Sequence, residues 1–245
     1  MPRALDLVRE LAALVEPRGV ASEVALSFPY TAALVEGRLG VASTVLEPRE
    51  KGYEPGTLSG SRAEDLLRLL ESPLGPDSSV GLAVLNALVE RPEGAVEADA
   101  LDLAEVREGD AVGVVGSFPP RYLARLERRA SRIYVFERPP LCRGELPDWA
   151  EQLILPECDV VLVTGTTVVN KTVAAVLEAC SSAREVVLVG PSVPLIPEPF
   201  ASRGVTVLAG VDVVEPARAL AVVREGGGTR ALLRHAVKLA VRLRR

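Results

Sequence analysis

The side chains in this sequence that could do chemistry fall mostly in short turns of its second half. These are Gly116-Ser117-Phe118-Pro119, Glu137-Arg138-Pro139, Thr164-Gly165-Thr166-Thr167, Gly190-Pro191-Ser192 and Gly210-Val211-Asp212. Glycine permits positive φ and close backbone approach. Serine and threonine hydroxyls both donate and accept hydrogen bonds. Such a set suits an anion, a carbonyl or a carboxylate, and Asn170 and Lys171 follow directly after the third turn. Tight turns and helix caps ask for the same residue types. Thr166 or Thr167 is expected to cap a helix beginning near Val168, whose free N–H groups would add to an anion site.

Other chemistries are thinly represented. The one histidine, His235, has no ligating neighbour at helical spacing. Cys142, Cys158 and Cys180 are scattered without a Cys-x-x-Cys, and only Cys142 is a candidate to face a ligand. Glu36, Glu137 and Asp212 supply isolated carboxylates but no paired motif, so no side-chain metal set is expected. Gly113-Val114-Val115-Gly116-Ser117-Phe118 departs from Gly-x-Gly-x-x-Gly, and no Walker A or Gly-x-Ser-x-Gly motif occurs. Glu137 lies roughly 20 residues past the first glycine turn, which keeps open a nucleoside cofactor held by its ribose. No catalytic residue and no cofactor is assigned.

Each turn follows a Val-rich run: DAVGVVGSF, RIYVFE, DVVLVTG, EVVLVG and GVTVLAG. Continuous apolar runs suit strands buried on both faces. The segments between them read as helices over 120–129, 147–155, 168–179 and 198–203. Alternation of this kind predicts a Rossmann-like three-layer α/β domain with a mainly parallel sheet over 106–245, and the turns would gather at its carboxyl edge. Residues 1–105 read as a smaller α+β cap domain. It has a helix over 3–15, an antiparallel meander over 20–28, 31–36 and 39–44, a loop over 47–61, and helices over 62–71 and 77–89. Ser61 and Glu64 fit a capping box, Tyr30 and Tyr53 suit closure over a ligand and ordinary packing equally, and 90–110 reads as the connection. At the far end Gly226 to Gly228 permit a sharp turn and Thr229 fits a cap. Arg230, Arg234, Lys238 and Arg242 then recur every four residues, which predicts a terminal helix with one solvated face.

Of the 245 residues 48% are hydrophobic and the net charge is −5, which speaks against a dedicated nucleic-acid binder. The N-terminal segment is charged throughout, unlike a signal peptide, and no apolar run approaches a membrane span. With few cysteines, a cytoplasmic protein is expected, and base rates favour a homodimer.

TGTTVVNKT, VVLVGPSVPLIPEPF, GVTVLAGVDVVEP and VREGGGTRAL, together with YTAALVEGRLGVAST and GLAVLNAL in the first half, carry a resemblance. The chain resembles the heavy-metal chelation family over about residues 10–233. The resemblance implies an enolase N-terminal-like cap, a Rossmann-like second domain and an active site in the cleft between them. It carries Thr164, Gly165, Thr166, Asn170, Gly190, Pro191, Ser192 and Gly226 to Thr229 into that site, with Asn86 from the cap. Gly116, Ser117 and Glu137 join them from the strand ends. The expected partner is a small-molecule anion, such as a metal chelate or its chelator, bound or processed in the cleft. The alternatives are a nucleoside-cofactor-dependent transferase and a non-catalytic ligand-binding module.

Overall fold

A computed structural model describes residues 4–46, 52–138 and 145–243. The chain forms a small antiparallel sheet unit followed by a larger, mostly parallel α/β unit. After α1 (Ala4–Ala13) comes the expected meander of β1 (Ala21–Leu26), β2 (Tyr30–Val35) and β3 (Arg38–Ser43). Glu36 and Gly37 both have positive φ, 48° and 80°, the geometry of a two-residue hairpin turn. Next are α2 (Ala63–Leu67), a 3-10 turn over Arg68–Glu71 and α3 (Gly75–Leu88). The Ser61–Glu64 capping box does not form. Arg62 is the N-cap of α2 and makes no side-chain cap, while the Ser61 hydroxyl donates to Thr57 O at 2.6 Å.

α3 is buried around nearly its whole circumference, as expected of a helix without a polar face. Its serines are satisfied: Ser78 Oγ donates to Val169 O (2.7 Å), and Ser79 Oγ donates to Gly75 O and accepts from Val45 N. Leu82, Val84 and Leu85 belong to the same continuous core as Val168, Val173 and Val176 of the larger unit. The two sheets are therefore joined by a shared core.

The 90–110 segment is more than a connection, since it contains β4 (Val96–Glu97) and α4 (Ala100–Leu103). The larger unit continues with β5 (Ala111–Val115), α5 (Pro120–Leu126), β6 (Arg132–Glu137), β7 (Leu146–Pro147), α6 (Glu151–Ile154) and β8 (Val160–Thr164). Then come α7 (Thr166–Val169), α8 (Val173–Ala179), β9 (Glu185–Val189), α9 (Pro197–Ala201), β10 (Val207–Val213), α10 (Pro216–Arg224), α11 (Thr229–Leu232) and β11 (Ala236–Arg242). The eight-stranded sheet has the order β4-β11-β10-β9-β8-β5-β6-β7. All neighbours from β10 to β7 are parallel. Chain direction across the sheet reverses between β5 and β8. A crevice opens beyond the carboxyl ends of strands at such a switch point.

Two expectations fail here. The helix over 168–179 is split into α7 and α8 at Lys171, whose φ is 64°. The terminal helix over 230–242 is also absent: α11 is a single turn, and β11 runs antiparallel to β10 from Val207↔Arg242 to Val213↔Ala236. β11 covers the edge of β10 that faces away from β9, satisfying backbone groups that would otherwise form an open edge. A strand covered on both faces need not alternate, and its apolar residues matched helical spacing as well. The cations consequently part company. Lys238 faces the crevice and Arg242 pairs with buried Glu185 at 3.0 Å. His235 precedes β11 and bonds Glu215 through Nδ1 at 2.6 Å.

Candidate functional site

A cavity of about 240 Å3 occupies the crevice. Ser117 enters it after β5, Thr164, Gly165 and Thr166 after β8, and Gly190, Pro191 and Ser192 after β9. The strand ends converge because glycine lets them. Gly116 has φ 98°, and a Cβ on it would lie 2.6 Å from Thr164 Cγ2. The small-sheet unit closes the cavity through Tyr30 and Ser43, cross-strand partners at the open end of the β2–β3 hairpin.

The polar groups form a connected chain across the two units. Ser43 N donates to Ser192 Oγ at 2.8 Å, and the two serine hydroxyls are also 2.8 Å apart. Ser43 Oγ lies 3.0 Å from Thr166 Oγ1, which accepts from Thr164 Oγ1 at 3.2 Å. On the opposite side Tyr30 OH meets Thr229 Oγ1 at 2.6 Å, and burial raises the Tyr30 pKa. Neither threonine after β8 caps a helix. Gly165 is the N-cap of α7, and Thr167 Oγ1 turns back to Thr164 O. Thr229 is the first residue of α11, after N-cap Gly228, and its hydroxyl serves Tyr30 instead.

Two cations line the cavity. The guanidinium of Arg121, exposed on the first turn of α5, makes no ion pair or hydrogen bond with any described residue. Lys238 Nζ donates to Asp99 Oδ2 at 2.6 Å and stands 5.9 Å from the centre of the Tyr122 ring. Tyr122 OH donates to the other Asp99 oxygen at 2.6 Å. Burial alone would raise the Asp99 pKa, but the bonds from Lys238, Tyr122 and Leu101 N hold it below the usual value. Burial and the Asp99 charge both push the Tyr122 phenol upward. Tyr122 is thus a fixed donor to Asp99.

The remaining expected residues sit elsewhere. Asn170 Oδ1 accepts from Thr172 N and Thr172 Oγ1, shaping the break between α7 and α8. Glu137 accepts from its neighbour Arg138 N at the end of β6 and does not line the cavity. Asn86 donates from Nδ2 to Val41 O and lines a neighbouring cavity, as does Asp212. Lys171 is half-buried. Its Nζ donates to Ser78 Oγ (2.7 Å) and Val169 O (3.2 Å), and burial lowers its pKa to about 8 against the opposing effect of Asp77. Tyr53 packs against the shared core.

Sequence reasoning overlooked Ser43, Arg121 and Tyr122, and gave Lys238 to a solvated helix. Arg121 had a readable signal, since it opens the segment after the first glycine turn. Ser43 and Lys238 enter the cavity only through strand pairings that local spacing does not encode.

Cys158 and Cys180 are buried thiols, pushed up to about 11 and about 12 by burial, and belong to the core. Cys142 lies outside the described residues. Among the described residues no group of three or more His, Cys, Asp or Glu is placed to hold a metal ion. The cavity offers hydroxyls and cations, a poor match to a bare metal cation and a good one to an anion. No described helix is long and apolar enough to cross a membrane.

Comparison with known proteins agrees along nearly the whole chain. Residues 8–89 match DUF4213 and residues 99–242 match DUF364, both described as "Putative heavy-metal chelation". An uncharacterised protein of Methanocaldococcus jannaschii is 31% identical over 229 residues, spanning 89% of this chain and 86% of that protein. Two crystal structures of DUF364 proteins of unknown function superpose with a TM-score of 0.84 at 25% identity. The one from Desulfitobacterium hafniense covers 98% of both chains, and the one from Pyrococcus horikoshii covers 98% of this chain and 100% of its own. With family matches over both halves and a shared two-unit α/β fold, this chain belongs to the DUF364 heavy-metal chelation family, with a DUF4213 unit preceding the DUF364 unit.

Proposed function

We propose that the protein binds a small anionic metabolite in the crevice between its two units, and that the anion is a metal chelator or the chelate it forms. The carrying observation is the pairing of a guanidinium unpartnered among the described residues, Arg121, with a ring of hydroxyls from both units around one cavity. Arginine presents a planar fork of donors to a carboxylate. Ser117, Thr164, Thr166 and Ser192 can each turn a hydroxyl proton toward an oxyanion. Lys238 adds positive potential while Asp99 holds it in place. The metal in this reading is cargo, reaching the protein inside its organic ligand. The transferase alternative gains nothing from Glu137, which lies outside the cavity.

Citrate and its nickel(II) complex are the probes for calorimetric titration. Both are expected to bind, more weakly as salt rises. Arg121→Gln is expected to weaken both by about tenfold or more, the loss of a charge-assisted contact. Free nickel(II) is expected not to bind in the cavity. Tight binding of the bare ion there, or citrate affinity unchanged in Arg121→Gln, would overturn the reading.

A further inference from the structure

A second cavity, about 320 Å3, lies across a wall formed by Pro191, Val211 and Leu239, which line both spaces. Both units build it. Arg38 enters from the start of β3, Asn86 from the end of α3, and Asp212 from the end of β10. Its charged groups are of two kinds. Glu90 is engaged with Arg18 at 3.9 Å and Arg91 with Glu97 at 3.6 Å. Arg38 and Asp212 are not so engaged. Arg38 donates to the carbonyl of Val89 and pairs with no carboxylate among the described residues. The Asp212 carboxylate makes neither a hydrogen bond nor an ion pair with any described residue, although the residue is half-buried.

One cation and one carboxylate thus face a single cavity without satisfying each other. The half-buried Asp212 carboxylate lacks a partner, which is unfavourable, and the exposed Arg38 guanidinium has donors beyond the one given to Val89. A ligand carrying one charge of each sign engages both, whereas a singly charged ligand engages one and is repelled by the other. Asn86 belongs to the same wall and is held there by the bond from its Nδ2 to Val41 O. Val193 and Leu195 supply an apolar surface. We propose that this cavity binds the zwitterion of an α-amino acid. The carboxylate sits on Arg38, the ammonium on Asp212, and the side chain against Val193 and Leu195. The proposal concerns a site separate from the anion crevice and stands whether or not that crevice binds citrate.

The test is calorimetric titration of the full chain with L-norleucine, hexanoate and pentylamine, which share an alkyl chain and differ in their charges. Norleucine is expected to bind at one site, at least about tenfold more tightly than either control. Asp212→Asn is expected to lower norleucine affinity to the level of hexanoate and to leave hexanoate unweakened. Arg38→Gln is expected to lower it to the level of pentylamine. Asp212→Asn is isosteric and Arg38→Gln keeps a polar, uncharged side chain, and an unchanged thermal midpoint verifies that each variant is folded. Equal binding of all three compounds, norleucine affinity unaltered in both variants, or no norleucine binding at about 10 mM would overturn the assignment.

Discussion

Gly40→Ala is expected to remove most of the protein's stability, by more than about 4 kcal/mol. Gly40 lies in the middle of β3, where α3 crosses the small sheet with nothing between the two backbones. A Cβ there would overlap the carbonyl oxygen of Ala83 and the amide nitrogen of Ala87, and would lie 2.7 Å from the carbonyl carbon of Asn86. All three are main-chain atoms, so no rotamer change makes room. Overpacking typically costs about 1–3 kcal/mol when side chains can yield. Here the whole helix must move. α3 carries Ser78, which reaches Val169, and Leu82, Val84 and Leu85, which lie in the core shared by both units. Its displacement therefore disturbs the joint between the sheets as well as the small unit. Denaturant unfolding followed by circular dichroism measures the effect. Gly228→Ala is the matched control, because its Cβ would meet nothing within 4 Å; losing a glycine N-cap there costs at most about 1 kcal/mol. A Gly40→Ala midpoint equal to that of the unchanged protein would refute the direct helix–strand contact.

Asp99→Ala is the second large effect, expected to cost about 2–4 kcal/mol, chiefly from the lost N-cap and the buried phenol left unpaired, with the part-exposed lysine pair adding less. Asp99 does three things. It accepts from Leu101 N as the N-cap of α4, from Tyr122 OH, and from Lys238 Nζ. Alanine removes the cap, leaves a buried phenol without an acceptor, and frees a lysine beside the anion crevice. Asp99→Asn keeps an oxygen for the cap and is expected to lose less. The pH dependence follows from the bonded carboxylate. Its folded-state pKa is held below the unfolded value. Its contribution is therefore complete above the ordinary aspartate pKa, about 4, and is lost as pH falls through the folded value. Both variants are expected to show a shallower acid decline than the unchanged protein. An unchanged acid limb would mean that the Lys238 and Tyr122 bonds do not form in solution.

Much of this fold was legible from local pattern. The Val-rich runs became β5, β6, β8, β9 and β10, and the meander became β1 to β3, because burial on both faces and tight antiparallel turns leave clear signatures. The turns after β5, β8 and β9 did gather at one crevice, since parallel strands direct their carboxyl ends the same way. Ser117, Thr164, Thr166 and Ser192 were within reach of such reasoning. What escaped was set by long-range pairing. Residues 236–242 satisfy helical spacing and extended burial equally, and only the unfilled edge of β10 decides between them. Lys238 was misplaced with that segment. Thr164 to Thr172 looked like a strand running into one helix, but Lys171 adopts positive φ and ties back to Ser78, 93 residues away in sequence. That tie is invisible to any window of neighbouring residues. Asn86 and Asn170 carry hydrogen-bonding groups of the right kind and spend them on Val41 and Thr172.

The central claim is that the crevice holds an organic anion, with any metal arriving inside it. Native mass spectrometry of protein purified without chelators, paired with elemental analysis, tests it most directly. The account predicts a stoichiometric organic mass, alone or with a metal in equal amount, that disappears in Arg121→Gln and Thr166→Val. A stoichiometric metal with no organic mass, retained in both variants, would contradict it.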